Sequence, residues 1–165
     1  LTPYAEEKQL TFISLFFITY SAGAVAMRFF GGRLADKVGE RRIIPYAFII
    51  TSSGIGMLTL LSGDLILIVS GLICGSGHGL LYPCLNAVAL RNEPQDIRGK
   101  IMGIFTGSID SGFFLGSILF GYIGSWFGYP VLFLIAGLIL LLGFGVSRFQ
   151  TKSGQGRNSL RSLTA

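Results

Sequence analysis

The sequence predicts an all-α membrane protein with five transmembrane helices, and three observations do so. Apolar residues make up 51% of the 165 and charged residues only 13%, about half the charged share of a soluble globular domain. The charges are also unevenly placed. Uncharged runs extend from Gln9 to Met27, Ile43 to Gly63 and Leu65 to Leu90, lengths of 19, 21 and 26, and after Lys100 the only charge before Arg148 is Asp110. A helix needs about 20 apolar residues to cross a hydrocarbon core of about 30 Å. Finally, these runs lack the polar face that a soluble core helix shows every third or fourth residue. Fourteen Phe exclude disorder, which is poor in aromatics.

The first three runs give spans over about 10–30, 43–62 and 65–90. The 47 residues between Lys100 and Arg148 are too long for one crossing. They break at Gly124-Ser125-Trp126-Phe127-Gly128-Tyr129-Pro130, a Gly/Pro turn signal with proline at the first position of a following helix. This leaves spans at 99–124 and 130–147. Residues 1–148 are then the transmembrane domain. Residues 149–165, rich in Ser, Gly, Gln, Asn and Arg without an apolar period, are expected to be a cytoplasmic tail.

Orientation follows from the basic residues. Arg33, Lys37, Arg41 and Arg42 fall in 31–42, Arg91, Arg98 and Lys100 in 91–100, and Arg148, Lys152, Arg157 and Arg161 in the tail. The turns 63–64 and 124–130 hold none. Basic and non-basic segments alternate as a threaded chain requires, which puts the C-terminus in the cytoplasm of a multi-pass protein of the plasma (inner) membrane. Trp126, Phe127 and Tyr129 suit an aromatic belt at the opposite surface. The net charge of +5 therefore records topology, and no nucleic-acid partner is expected. Cys74 and Cys84 lie ten apart on one helix, about 15 Å along its axis, too far for a disulfide. They read as small buried residues with no metal-ligand spacing around them.

The spans differ in polarity. The fifth, Val131 to Val146, has no polar side chain and reads as an outer, lipid-facing helix. The second has Thr51, Ser52 and Ser53 near its middle, where each can back-bond to its own helix. The third holds Gly71, Gly75 and Gly79, and the fourth Gly99, Gly103 and Gly107, then Gly112 and Gly116. Such rows let helix backbones approach closely in lipid. Pro83 adds a kink to the third span.

Asp110 lies near the midpoint of the fourth span, where an acid costs about 2.5–3.5 kcal/mol on insertion scales. It needs a partner, a wet cavity or a proton. It is a candidate proton or cation site or substrate counter-charge, with a structural acid bonded across the bundle as the alternative. Thr106, Phe113, Phe114 and Ser117 share its face. His78, the only histidine, sits near midplane, with Tyr82 and Asn86 at four and eight residues beyond. Singly, His78 reads as a satisfied core residue; stacked, the three line a polar pathway. Arg28, at the cytoplasmic end of the first span, reads as an interfacial anchor or loop partner.

The most specific string is Gly32-Arg33-Leu34-Ala35-Asp36-Lys37-Val38-Gly39-Glu40-Arg41-Arg42. It is expected to form a tight, glycine-bounded cytoplasmic turn, with an acid held among bases as a reversible latch, or else a solvated orientation-setting loop. The string resembles the signature loop of the major facilitator superfamily, Gly-x-Leu-Ala-Asp-Arg/Lys-x-Gly-Arg/Lys-Arg/Lys. Gly32, Leu34, Ala35, Asp36, Lys37, Gly39 and Arg41 match it. Glu40 departs, placing an acid where the family has a base. Gly75-x-Gly77-x-Gly79…Pro83 and Arg98-Gly99…Gly103…Asp110…Gly116 resemble later helices of the same half.

The resemblance covers about residues 10–148. It implies five helices of a six-helix bundle, one half of a twelve-helix carrier without its first helix, joined to a missing N-terminal half of the same chain. The third span has no Arg and the fourth no Gly-Pro pair, so helices eight to twelve are expected. The family implies a secondary transporter of a small solute working by alternating access, with proton-coupled efflux and a proton gradient in place of a cofactor. Asp110, His78, Tyr82, Asn86 and Thr106 would serve the substrate or proton pathway. Gly32, Asp36, Lys37, Gly39, Arg41 and Arg28 would form the cytoplasmic gate. A membrane receptor or scaffold with a carrier fold is the alternative. An intramembrane enzyme would need a nucleophile pair or metal pair that the sequence lacks.

Overall fold

The computed structural model describes residues 1–10, 12–91 and 93–163, with side chains described through Phe149 except Thr11, Asp36 and Asn92. A short helix, α1 (Thr2–Glu7), precedes α2 (Ser14–Val38), α3 (Glu40–Met57, continued by one 3₁₀ turn at Leu58–Leu60), α4 (Asp64–Leu90), α5 (Gln95–Phe127) and α6 (Tyr129–Leu163). Five of these are long and apolar enough to cross a membrane, as the uncharged runs predict.

The helices overrun the apolar windows. The expected turn over 31–42 is mostly helix: α2 continues to Val38, and Gly39 alone separates it from α3. No proline interrupts 31–38, so nothing stops the helix until Gly39, whose φ of 90° suits glycine and strains other L-residues. Gly128 performs the same service between α5 and α6 with φ 83°, and Pro130 follows in the first turn of α6, within the predicted break. At the other end, α6 runs on to Leu163. The side chains of the tail, 150–165, lie outside the described residues.

α4 is the central post. α2 and α3 pack along it, and α6 packs on α3. The α2/α4 pair is parallel and close. A Cβ built on Gly71, Gly75 or Gly79 would lie 2.6, 2.0 or 2.6 Å from the carbonyl oxygens of Phe16, Tyr20 and Ala24. Each rung steps four residues on both helices, so the glycine row of the third span is a packing seam, as its spacing suggests. Gly23 returns the favour, its Cβ position 2.6 Å from the carbonyl oxygen of Leu72. On its other side α4 receives α3: a Cβ on Gly77 would meet the Thr51 amide nitrogen at 2.6 Å, and one on Gly54 the Cys74 amide at 2.6 Å.

α3 packs on two sides. It buries one face on α4 and offers another to α6, leaving Tyr46 and Ile49 outward. Thr51 and Ser53 do back-bond to Ala47 and Ile50. Ser52 instead crosses to α6, donating to the Gly137 carbonyl at 2.9 Å. Two buried clusters cap the stack. Ala35, Ile43, Ile44, Ala47, Leu80 and Cys84 fill the basic end; Tyr4, Leu58, Leu61, Leu67 and Phe133 fill the opposite end. α1 is held there by Tyr4, whose ring lies 5.5 Å from Tyr129 and 5.8 Å from Phe133. Both cysteines are free and buried.

α5 stands apart. Gly124 is its one buried residue among those described, and Gly99, Gly103, Gly107 and Gly112 have nothing within 4 Å of a built Cβ. The fourth-span glycine row therefore has no packing partner among the described residues.

The seam can be tested directly. Gly75→Ala should lower the stability of the detergent-purified protein by about 1–3 kcal/mol, the usual cost of overpacking, seen as a depressed melting temperature. Gly145→Ala, at an open position, should melt like the wild type. Equal melting of the two variants would refute the seam.

Candidate functional site: the α2/α4 groove and its charged foot

The basic end holds a clasp that the sequence did not single out. Glu40, the first residue of α3, accepts from the Arg91 guanidinium just past the end of α4. Four helix ends meet here, because α2 passes directly into α3 at Gly39 and α4 leads through residues 91–94 to α5. Glu40 is the position that departs from the family string, and the structure gives its charge a partner. The Glu40 side chain is 13% exposed and Arg91 51%, so the pair is half-solvated and worth at most about 1 kcal/mol. That strength suits a contact that opens and closes. Only the acid at an expected base position hinted at it.

Asp36 lies in the last turn of α2, and its side chain is outside the described residues. Lys37 and Arg41 flank the break on either side. Gly32 has nothing within 4 Å of a built Cβ. Asp36, Lys37, Gly39 and Arg41 of the expected gate thus lie at one junction, on helix ends rather than in a turn, while Gly32 and Arg28 lie further back along α2.

Above this junction a cavity of about 160 Å³ separates α2 from α4, lined by Met27, Arg28, Gly31, Gly32, Ala35, Glu40, Gly79, Leu80, Pro83, Cys84 and Ala87. Proline withholds an N–H from the turn before it and bends the helix; the seam opens where Pro83 follows Gly79. Arg28 belongs to this cavity and lies ten residues before the end of α2, so it is not a terminal residue of its helix.

His78 meets the Tyr20 ring of α2 edge to face, with centroids 5.9 Å apart. Tyr82 lies 5.9 Å from the Phe105 ring of α5. The stripe of His78, Tyr82 and Asn86 therefore serves two neighbours, His78 facing α2 and Tyr82 facing α5. Tyr20 was not singled out by the sequence, although it sits eight residues before Arg28 on the same stripe. Asp110 and Thr106 are exposed on α5, and among the described residues Asp110 has no hydrogen bond or ion pair. Beside it Ile109, Gly112, Phe113, Gly116, Ser117 and Phe120 line an open groove. The structure sets His78 against Tyr20, with Arg28 within electrostatic reach of both, and leaves Asp110 on another helix.

Five apolar helices, with α2 and α4 tightly seamed and α3 joined to α4 at a charged foot, define an integral, multi-pass membrane protein. The profile of the Major Facilitator Superfamily matches residues 2–163, and the chain belongs to that family. It is 25% identical over 122 residues to an uncharacterized MFS-type transporter of Salmonella typhimurium, covering 74% of this chain and 31% of that protein. Quinolone resistance protein NorA of Staphylococcus aureus is 30% identical over 118 residues, 72% of this chain and 30% of NorA. Probable anion transporter 5 of Arabidopsis thaliana is 29% identical over 117 residues, 70% of this chain and 24% of that protein. The aligned part of the chain thus spans about a quarter to a third of the length of these relatives. No solved structure matches the chain at a significant level.

A charge-swap cycle tests the clasp. Glu40→Arg and Arg91→Glu should each lower thermal stability by an amount equivalent to about 1 kcal/mol or less. The double variant should recover most of the loss. Additive losses in the double variant would remove the clasp.

Proposed function

We propose that this chain is part of a secondary transporter that moves a small solute by alternating access, rocking helix bundles about a site near the membrane midplane. The observation that carries this reading is the charged foot, where a half-solvated Glu40–Arg91 pair joins the start of α3 to the end of α4. Contacts of this strength exchange easily between open and closed arrangements. Membership of a transporter family supports the same reading and argues against an enzyme. Asp36, Lys37 and Arg41 act with the clasp as the cytoplasmic gate, together with the glycines at 32 and 39.

The five spans are helices eight to twelve of a twelve-helix carrier in the plasma (inner) membrane, with the C-terminus cytoplasmic and an N-terminal half completing the pathway. His78, Tyr82 and Asn86 line that pathway from α4, and Thr106 and Asp110 from α5. Asp110 takes up and releases the coupling proton, being the one acid placed near the middle of a span, where an uncompensated charge is costly. Proton-coupled efflux is the direction we favour, with a proton gradient and no cofactor as the driving force. The resistance function in the name of NorA is in keeping with it.

Full-length protein in liposomes with an imposed pH gradient tests coupling. Asp110→Asn should abolish proton-driven flux and flatten its pH profile, and Asp110→Glu should retain part of both. Unchanged flux and pH profile in Asp110→Asn would end the coupling role. Asp36→Ala should slow transport at least tenfold, and normal transport by that variant would remove Asp36 from the gate.

A further inference from the structure

Phe16, Tyr20, Ala24 and Arg28 follow at four-residue steps along α2. The first three rungs rest on Gly71, Gly75 and Gly79 of α4. At the fourth, α4 carries Pro83, and the seam gives way to the cavity of about 160 Å³ that Arg28 and Pro83 share. The ladder therefore ends with Arg28 lining a partly open cavity between the two helices.

Arg28 lies ten residues before the end of α2, which continues beyond it as helix to Val38 and carries Arg33 and Lys37 there. Helical side chains lean toward the N-terminus of their helix, the direction in which Tyr20 and His78 lie, while the cavity that Arg28 lines extends to Glu40 at the basic end. Tyr20 and His78 both lie within electrostatic reach of the Arg28 charge. The guanidinium lines the cavity, the phenol and imidazole meet each other nearby, and among the described residues none of the three has a hydrogen-bond partner. Glu40 also lines the cavity, but its carboxylate is engaged by Arg91. The Arg28 side chain is exposed rather than buried, so the cavity is left with a positive charge that an entering anion can reach.

The geometry points to a small organic anion as the solute: we propose that Arg28 supplies the counter-charge for its carboxylate in the α2/α4 groove, with Tyr20 and His78 as neighbouring donors. The inference rests on the transporter reading only in calling this ligand the solute. A carboxylate accepts two parallel bonds from a guanidinium, and the apolar wall of Met27, Leu80 and Ala87 suits the organic part.

The test uses the full-length protein in nanodiscs of zwitterionic phosphatidylcholine, with binding of benzoate and its neutral counterpart benzamide measured by calorimetry. Benzoate should bind at least tenfold more tightly. Arg28→Gln should remove the difference, Arg28→Lys should keep part of it, and Arg148→Gln should keep all of it, with melting temperatures confirming that each variant is folded. Equal affinity for the two probes, no binding of either at millimolar concentration, or discrimination that survives in folded Arg28→Gln would overturn the proposal. A repeat with phosphatidylglycerol in the nanodisc separates the solute from a lipid phosphate. Benzoate binding abolished by that lipid would assign the groove to the headgroup and also overturn the solute assignment. Binding is read here without any gradient. A failure of anion preference therefore leaves the transporter reading standing, whereas a protein that binds benzoate but moves no solute would defeat the transporter reading alone.

Discussion

The backbone-to-backbone approach of α2 and α4 is the interaction on which the rest depends. In lipid, apolar side chains gain nothing by leaving the solvent for one another, so helices associate through close packing and polar contacts. Glycine at 71, 75 and 79 removes the side chains that would hold the axes apart. With α2 fixed on one side of α4, α3 can settle on the other through Gly77 and Gly54. α6 then docks on α3, where Ser52 reaches the Gly137 carbonyl. Each later contact uses a surface that the previous one has placed.

The same seam sets the position of the polar groups. It runs parallel for three rungs and ends at Pro83, so the cavity opens at one defined height and Arg28 is carried to it. Below the cavity, the single-residue break at Gly39 puts the start of α3 within reach of the end of α4. A tight, apolar middle with a half-solvated charged foot divides the labour between a rigid pair of helices and a contact that can exchange. α5 belongs to neither. It bears Asp110 and an open glycine row, touching α4 through Phe105 and α6 near Gly124, and its faces are left for partners beyond the described residues.

Much of this was legible in the sequence. The five spans, the break near Gly128 and the packing role of Gly71, Gly75 and Gly79 follow from charge spacing, glycine position and a four-residue period. Helix ends were less legible, because an apolar window reports where lipid ends and not where the helix does. The segment 31–38 is helical despite its charges, since only Gly39 demands a conformation outside the helix. Ser52 could not be told from Thr51 and Ser53 by pattern: all three hydroxyls can bond to their own helix, and only the nearness of α6 draws one away. Tyr20 was hidden for a similar reason, as an aromatic in an apolar span is ordinary until a histidine is found against it.

The sequence by itself determined the class of protein, the number of crossings and the small-residue rows that permit close packing. These rest on local quantities: length, charge and the spacing of small residues along one chain. Which polar groups share a groove was decided only by the tertiary structure. His78 joins Tyr20 and Arg28 rather than Asp110, and Glu40 joins Arg91 across 51 positions of sequence. Those pairings depend on the rotation and offset of one helix against another, which the seam fixes and no single helix encodes.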